Sequence, residues 1–272
     1  LREELAQSLS MPRTKIVIGA GDNAASAIGT GTLEEGQCNL SLGTSGTIFV
    51  VTETPCYKED AAIHTFCSAN RKYHYLACIL SAASCQKWWI EDILRTNYDF
   101  SEAKKWIGRS RVLFLPYLTG ERSPINDATI RGAFVGLSVE TTREEMTIAV
   151  LEGVAFALRQ NLDIIRSFGI TLSSSTICGG GIQNKLWLPL LADILEVTLS
   201  VQKQAHGGVL GAALLAAQGC LLPEEYQKLE RKLYAIKETI PPSLLHQAYY
   251  EEKYERFLKL YPALKSCKEV SP

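Results

Sequence analysis

The chain has 272 residues, of which 46% are hydrophobic and 21% are charged, and its formal net charge is −1. This composition is typical of a globular protein with a sizeable core, and it offers no membrane-spanning apolar run. The balanced charge gives no electrostatic basis for binding nucleic acid or an anionic membrane surface, so neither is expected as a partner.

The first part of the chain predicts a strand, a small-residue helix, two hairpins and a longer helix. After a charged amphipathic segment, the β-branched run KIVIG (15–19) predicts a buried strand. Glycine at the turn 43–46 permits positive φ and so favours a tight hairpin. The remaining predicted elements are a helix in 21–31, hairpin strands in 37–52, a second hairpin of 61–69 and 72–80, and a helix over 82–95.

The rest of the chain alternates between strands and helices. A long helix is predicted from Thr141 to Phe168, with Glu144 as its capping-box partner. Two amphipathic helices follow in the tail, separated at Pro241 and Pro242. The other predicted elements are strands 111–118, 132–137, 175–181 and 198–202, a polar loop 119–132, and helices 184–196 and 207–219.

These elements together predict an α/β fold in which helices are layered on a mixed β-sheet. No repeat, low-complexity segment or linker interrupts residues 1–272, so a single compact domain is expected. The sequence begins with Leu1 rather than Met, which favours a piece cut from a longer chain.

The cysteines and histidines do not predict a metal site. No CxxC pair occurs, and the four histidines share no motif with zinc spacing. Most cysteines lie in apolar runs, which predicts reduced structural thiols in a cytoplasmic protein. The eight cysteines are Cys38, Cys56, Cys67, Cys78, Cys85, Cys178, Cys220 and Cys267.

Three glycine-rich segments, 18–23, 42–46 and 178–184, lie where a predicted strand meets a turn or helix. Such glycines let the backbone approach a phosphate, and a helix N-terminus adds unpaired amides. Each segment alone would more often make only a tight turn, but three together favour a nucleotide site. None is a Walker A loop, and the first fails as a dinucleotide fingerprint because Asp22 lies where phosphate would approach.

Asp22 has two interpretations on this local evidence. A carboxylate beside a phosphate site favours a proton acceptor or a metal anchor, because an unscreened negative charge would repel the phosphate. Alternatively, Asp22 is only the N-cap of the following helix. The local pattern does not choose between them.

Several motifs in order resemble the FGGY family of carbohydrate kinases. GAFVGLSVETTREEMTIAVLE (132–152) is similar to the second family signature, and GAGDNAASAIGTG with LSLGTSG resembles the catalytic and phosphate-binding segments. Within the family, GDNAA, SLGTSG, SAASC and FLPYLTGERSP resemble xylulokinases more than glycerol kinases, ribulokinases or gluconate kinases. The resemblance covers about residues 13–265 and implies an RNase H-like domain of the actin-like ATPase superfamily.

The resemblance also implies two such domains, with ATP and sugar in the cleft between them. This chain is similar to the second domain only, so an N-terminal kinase domain is the expected missing partner and the isolated chain is expected to have little or no activity. The implied reaction needs ATP and Mg²⁺ and converts a sugar, foremost D-xylulose, to its 5-phosphate. The alternatives are another ketopentose or sugar alcohol as substrate, or a non-catalytic actin- or Hsp70-like nucleotide-binding or sugar-sensing domain.

The family's site residues can be carried over motif by motif. Asp22 matches the general base that takes the proton of the attacking sugar hydroxyl, and it contacts the sugar together with Asn23. The phosphate side of the ATP site matches the 43–46 turn, and the adenosine side matches 178–184. The ATP-binding positions implied in this way are Gly43, Thr44, Gln86, Gly180, Gly181 and Asn184.

Two other segments keep open alternatives. The loop with Gly-Glu-Arg-Ser-Pro (120–124) and Asp127 is either a solvated polar loop or a segment that shapes the cleft or supports domain closure. The tail pattern YYEEKYERFLKLY (249–261) predicts a solvated amphipathic helix, and packing in a homodimer remains open.

Overall fold

The fold is built on a mixed β-sheet, which we describe from a computed structural model over residues 1–59, 61–203, 207–243 and 245–267. The strands are β1 Cys38–Leu42, β2 Gly46–Thr52, β3 His64–Cys67, β4 Tyr73–Ile79, β5 Leu113–Leu115, β6 Ala133–Val135, β7 Ser174–Cys178, β8 Thr198–Gln202 and β9 Ile236–Ile240. Seven of them form one sheet in the order β3-β4-β2-β1-β7-β8-β9, and β5 pairs with β6 in a separate hairpin. The predicted mixed sheet is therefore confirmed.

Strand direction changes at the centre of this sheet. β1 pairs antiparallel with β2 but parallel with β7, and β7 pairs parallel with β8. Because parallel strands end at the same sheet edge, the turn after β1 and the loop after β7 must lie side by side. The register pairs Ser41 with Cys178, immediately before these two connections.

Helices cover both faces of the sheet. The helices are α1 Glu3–Ser8, α2 Asp22–Gly29, α3 Ala83–Lys87, α4 Arg143–Arg166, α5 Trp187–Leu195, α6 Gly207–Gln218, α7 Pro223–Leu233, α8 Gln247–Leu258 and α9 Leu260–Leu264. Ile48 and Val50 of β2 belong to the large core with α4 and α5, whereas Phe49 and Val51 pack with Ala27 of α2. Successive strand residues point to opposite faces, so this alternation creates one helical layer on each side.

The predicted buried strand at 15–19 is wrong. Residues 15–19 form no strand, and Ile16 and Ile18 are 73% and 91% exposed. Only Val17 turns inward, towards Gly219 at the end of α6. A β-branched run favours a strand, but a strand also needs a neighbour with free backbone groups, and none lies beside it among the described residues.

The start of α4 differs in detail from the prediction. Its N-cap is Thr142, whose side chain accepts a hydrogen bond from the Glu145 amide. Glu144 is not the capping-box partner, because its carboxylate accepts from the Arg143 side chain at 2.7 Å. Glu145 instead accepts from the backbone amide of Arg111. The Glu145 side chain, which lies three residues after the N-cap and could complete a capping box, is therefore used in a tertiary contact instead.

Two further elements depart from the sequence pattern. The predicted helix 82–95 is α-helical only as α3 and continues as a π-helix from Trp88 to Leu94. In the tail, the two predicted amphipathic helices are confirmed as α7 and α8, but β9 between them was missed. β9 is a mostly exposed edge strand paired with β8, so its sequence lacks the buried alternation that marks a strand. Across the described residues, no helix combines the length and apolar character needed to span a bilayer.

Candidate functional site

Two of the three glycine-rich segments meet at one edge of the sheet. The turn after β1 and the loop after β7 are in backbone contact, because a Cβ atom on Gly179 would lie 2.6 Å from the Leu42 carbonyl oxygen and 3.0 Å from the Gly43 nitrogen. Gly179 also has φ +98°, a conformation that favours glycine. The predicted phosphate and adenosine segments are therefore brought together.

The turn 43–45 is fixed by the start of α3. The amide of Ala83 donates to the Gly43 carbonyl at 2.9 Å, and the amide of Ala82 donates to the Thr44 carbonyl at the same distance. The Ser84 hydroxyl also donates to the Thr44 carbonyl, at 2.8 Å. In the described part of the chain, no acceptor meets the amides of Gly43 and Thr44. Successive unpaired amides at a turn are donors that an anion can accept from.

The turn does not have the backbone conformation that the sequence suggests. Neither Gly43 nor Gly46 has positive φ. Glycine is needed at position 46 for another reason, since a Cβ atom there would lie 2.8 Å from Cγ1 of Ile79 on β4. The prediction of a tight turn is confirmed, but close packing rather than a left-handed backbone explains Gly46.

Gln86 and Asn184 form the far side of this surface. The Asn184 side-chain amide donates to Oε1 of Gln86 at 3.0 Å, although the two residues are 98 positions apart in sequence. Asn184 Oδ1 accepts from the Leu186 amide, which fixes the orientation of its side chain. Gly181 packs on the Leu42 side chain, whereas Gly180 is exposed with open space where a side chain would be. The six predicted ATP-binding positions thus lie on connected segments of one surface.

Asp22 lies at the beginning of α2 and does not act as its N-cap. The N-cap position is Gly21, and Asp22 is the first helical residue. The exposed Asp22 carboxylate accepts through Oδ1 from the Asn23 amide at 2.8 Å and from its side-chain amide at 3.3 Å. Among the described residues, no hydrogen bond or ion pair connects Asp22 or Asn23 with the turn 43–45 or with residues 179–184.

The position of α2 depends on close contact with α6, which the sequence analysis missed. A Cβ atom on Gly211 would overlap the Ala25 carbonyl, and one on Gly29 would overlap the Gly207 carbonyl. A Cβ atom on Gly208 would lie 3.3 Å from Oγ of Ser26, one turn after Asp22. The available signal was the spacing of Gly207 and Gly211, four residues apart in a helix of small residues.

Gly211→Ala is expected to force α6 away from α2. The added methyl group meets a backbone carbonyl, which cannot turn aside as a flexible side chain can, so a destabilisation of roughly 1–3 kcal/mol is expected. Chemical denaturation of this chain and of the variant measures the change. Gly208→Ala is the matched control, because it adds the same methyl group to α6 where the nearest atom is the side-chain Oγ of Ser26 at 3.3 Å. Equal losses in Gly211→Ala and Gly208→Ala would contradict the close-contact explanation.

The described residues do not assemble a resident metal site from protein side chains alone. They contain no group of three or more His, Cys, Asp or Glu side chains that could hold an ion, and His206 lies outside them. Mg²⁺ in phosphotransferases is usually held by one or two carboxylates together with substrate phosphates. Asp22 is the carboxylate of the candidate site that fits this donor type.

Comparison with known proteins identifies what this arrangement resembles. The family model for the C-terminal domain of the FGGY carbohydrate kinases matches residues 38–220. A xylulose kinase of Escherichia coli is 36% identical over 274 residues, which cover 97% of this chain and 55% of that relative. A xylulose kinase of Klebsiella pneumoniae is 37% identical and covers 97% and 56%. The chain thus spans about half the length of the curated relatives it matches.

Solved structures give the same result for the fold. A ligand-bound xylulose kinase from Lactobacillus acidophilus superimposes with a TM-score of 0.87 at 27% identity, over 97% of this chain and 55% of that one. A protein described as a xyloylose kinase from Brucella ovis gives a TM-score of 0.83 at 39% identity, over 98% and 56%. The predicted actin-like α/β fold, with a mixed sheet between helices, is confirmed.

Proposed function

Because this chain belongs to the FGGY family of carbohydrate kinases, we propose that it is the nucleotide-binding domain of a larger ATP-dependent sugar kinase. The observation that carries the proposal is the convergence of the turn 43–45, the loop after β7 and the Gln86–Asn184 pair at one sheet edge. Unpaired amides on the turn suit phosphate oxygens, and exposed Gly180 leaves room for a flat ligand.

We propose D-xylulose as the substrate and its 5-phosphate as the product. Support comes from the relatives named xylulose kinase, at 36% and 37% identity over nearly the whole of this chain. Another ketopentose or a sugar alcohol is the alternative, because part of the sugar site belongs to the half of the relatives that this chain does not span.

In this mechanism the protein mainly positions the reactants. The amides of Gly43 and Thr44 bind the phosphates, while Gly180, Gly181 and the paired Gln86 and Asn184 hold the adenosine. Mg²⁺, when bound with ATP, supplies neutralisation of phosphate charge.

Asp22 acts at the sugar. Its Oδ1 is held by the Asn23 amide, which leaves Oδ2 to accept the proton of the attacking sugar hydroxyl. Asn23 binds the sugar beside it. The carboxylate therefore orients the nucleophile and takes its proton as the oxygen attacks the γ-phosphate in line.

The proposed partner is the N-terminal kinase domain, which would complete the cleft with the remaining phosphate, Mg²⁺ and sugar contacts. The isolated chain should then bind nucleotide but turn over little or no sugar. We also propose a cytoplasmic location, since seven of the cysteines are free thiols, as in a reducing compartment.

ADP release with a panel of ketopentoses, aldoses and sugar alcohols tests this function. The chain is assayed alone and as part of the full-length protein. Turnover on D-xylulose by the full-length protein and none by the chain alone is the expected result. Binding of ATP without turnover on any sugar would favour the non-catalytic alternative, and turnover on another sugar would change the substrate.

A further inference from the structure

The polar loop 119–131 is not a solvated loop, contrary to one of its two interpretations. Glu121 is 2% exposed and Ser123 is fully buried. The loop closes on itself through two backbone hydrogen bonds of 2.8 Å between Glu121 and Asp127. It is also attached to the core, because the Ser123 amide donates to the carbonyl of Cys78 on β4. Its acidic side chain at position 121 is therefore placed inside the protein.

The Glu121 carboxyl group binds the connection between β4 and α3. Its Oε1 accepts from the Leu80 amide at 2.8 Å and from the Arg122 amide at 2.7 Å. Ser81 adds a second link, since its hydroxyl lies 3.2 Å from the hydroxyl of Thr119 in the loop. The loop thus holds both residues that follow β4.

The same connection holds the candidate phosphate turn. Ala82, Ala83 and Ser84 come directly after Ser81, and they donate to the carbonyls of Gly43 and Thr44. Because the carbonyl and the amide of one peptide plane point in opposite directions, the held Gly43 carbonyl fixes the direction of the Thr44 amide. Glu121 is therefore connected with the turn by its hydrogen bond to Leu80, by the chain from 80 to 84, and by the hydrogen bonds from 82–84 to the Gly43 and Thr44 carbonyls.

A role in stability alone does not explain the buried carboxyl of Glu121. Its Oε2 is buried and has no hydrogen-bond partner among the described residues. A buried polar atom without a partner costs free energy, so an apolar side chain would serve a purely structural purpose better. What this carboxyl adds over an apolar side chain is the pair of hydrogen bonds that its Oε1 accepts from the Leu80 and Arg122 amides.

We infer that Glu121 is a positioning residue for the phosphate-binding turn, acting through the Leu80 amide and the start of α3. It sets the direction of the Thr44 amide, which shares a peptide plane with the Gly43 carbonyl, without touching the nucleotide. This inference rests on the proposed function, because it takes the turn as the site of the ATP phosphates.

Glu121→Ala and Glu121→Gln, with Ser123→Ala as the matched control, test the inference. Ser123 is equally buried in the same loop, but its hydroxyl donates to the Ala62 carbonyl rather than towards the turn. Hydrogen exchange of residues 82–84 and the affinity of this chain for Mg·ATP are measured, with KM for ATP and kcat in the full-length protein.

Glu121→Ala should speed exchange at 82–84 and weaken ATP binding about tenfold, as expected for the loss of a positioning hydrogen bond. Glu121→Gln should restore both, because its carbonyl oxygen accepts the same two amides. KM for ATP should change more than kcat. Wild-type affinity in Glu121→Ala, or equal losses in Ser123→Ala, would overturn the inference. If Glu121→Ala does not fold, Glu121→Asp, which is too short to reach Leu80, replaces it.

The exchange data separate this inference from the proposed function. If the unaltered chain does not bind Mg·ATP, the nucleotide site itself fails and the role of Glu121 in ATP binding fails with it. If the chain binds Mg·ATP while exchange at 82–84 is unchanged in Glu121→Ala, only the role of Glu121 fails.

Stability against pH gives a separate readout of the buried carboxyl. Burial raises the pKa of Glu121 from 4.5 to about 8. The hydrogen bonds from the Leu80 and Arg122 amides and the charge of Arg122 lower it, but by less than burial raises it. The other titratable groups that interact with Glu121 are Cys78, Cys85 and Tyr117. Between about pH 4.5 and about pH 8 the folded state therefore keeps a proton that the unfolded chain releases. As pH rises through this range, the contribution of Glu121 to the free energy of unfolding falls. Glu121→Gln removes this dependence, so its Tm relative to the unaltered chain should rise between pH 6 and pH 9. A constant difference would contradict the raised pKa.

Discussion

Asp22→Asn in the full-length protein is expected to lower kcat of the proposed sugar phosphorylation by roughly 10²–10⁴-fold, the usual contribution of a general base, while the affinity for ATP stays unchanged. Asparagine has nearly the same shape, and its Oδ1 can still accept from the Asn23 amide, so the start of α2 should remain in place. What it cannot do is take the proton of the sugar hydroxyl. Steady-state kinetics on D-xylulose and calorimetric titration with Mg·ATP measure the two effects.

Glu224→Gln is the matched control for this substitution. Glu224 is likewise an exposed carboxylate in the first turn of a helix, α7, so it reproduces the change of charge and the loss of an acidic group near a helix N-terminus. It should leave kcat unchanged. If Asp22→Asn kept more than a tenth of the activity, Asp22 would not be the base.

Lys253→Met is expected to lower the free energy of unfolding by about 3–5 kcal/mol, because it leaves a buried carboxylate without its partner. Lys253 on α8 and Glu152 on α4 are 3% and 1% exposed at their side chains and form an ion pair. Lys253 also donates to the Ser110 carbonyl at 2.8 Å and to the Tyr249 hydroxyl at 3.0 Å. Burial raises the pKa of Glu152, and the charge and hydrogen bond of Lys253 oppose this first, followed by the hydrogen bond of Tyr249. Urea denaturation at pH 7 measures the loss.

Two controls show whether burial is the cause. Lys105→Met breaks an ion pair with Glu102 whose side chains are 67% and 63% exposed, and it should cost less than about 1 kcal/mol. Replacing both buried partners, with Glu152→Leu and Lys253→Met together, should recover much of the lost stability, since apolar packing can substitute for a buried pair. Equal losses in Lys253→Met and Lys105→Met would contradict this account.

The sequence predicted strands that are buried on both faces, such as β2 and β4. Their apolar, strand-forming side chains are in fact buried, so local pattern and tertiary surroundings agree there. It failed where local propensity and tertiary surroundings disagree. Ile16 and Ile18 have the side chains of a buried strand, yet they are exposed without a neighbouring strand. β9 has the opposite mismatch, because it pairs with β8 although its side chains are mostly exposed.

The candidate site was likewise predicted only in part from the sequence. The glycine spacing indicated the turn 43–46 and the loop 178–184, and the topology of β1 and β7 explains why these segments meet. Contacts between distant residues could not be predicted from spacing. The hydrogen bond between Gln86 and Asn184 and the bond from Leu80 to Glu121 each depend on the whole fold. The burial of Glu121 was equally invisible, because a charged loop normally indicates exposure.

Under the proposed function, this chain binds ATP at the sheet edge where β1 and β7 end. Amide spectra of the chain titrated with Mg·ADP locate the binding surface residue by residue. Chemical-shift changes are expected at Gly43, Thr44, Gly180, Gly181 and Asn184, and in the Gln86 side-chain amide. Changes confined to the opposite edge, around the cavity of about 150 Å³ lined by Cys38 and Ser174, or no changes at all, would contradict this expectation.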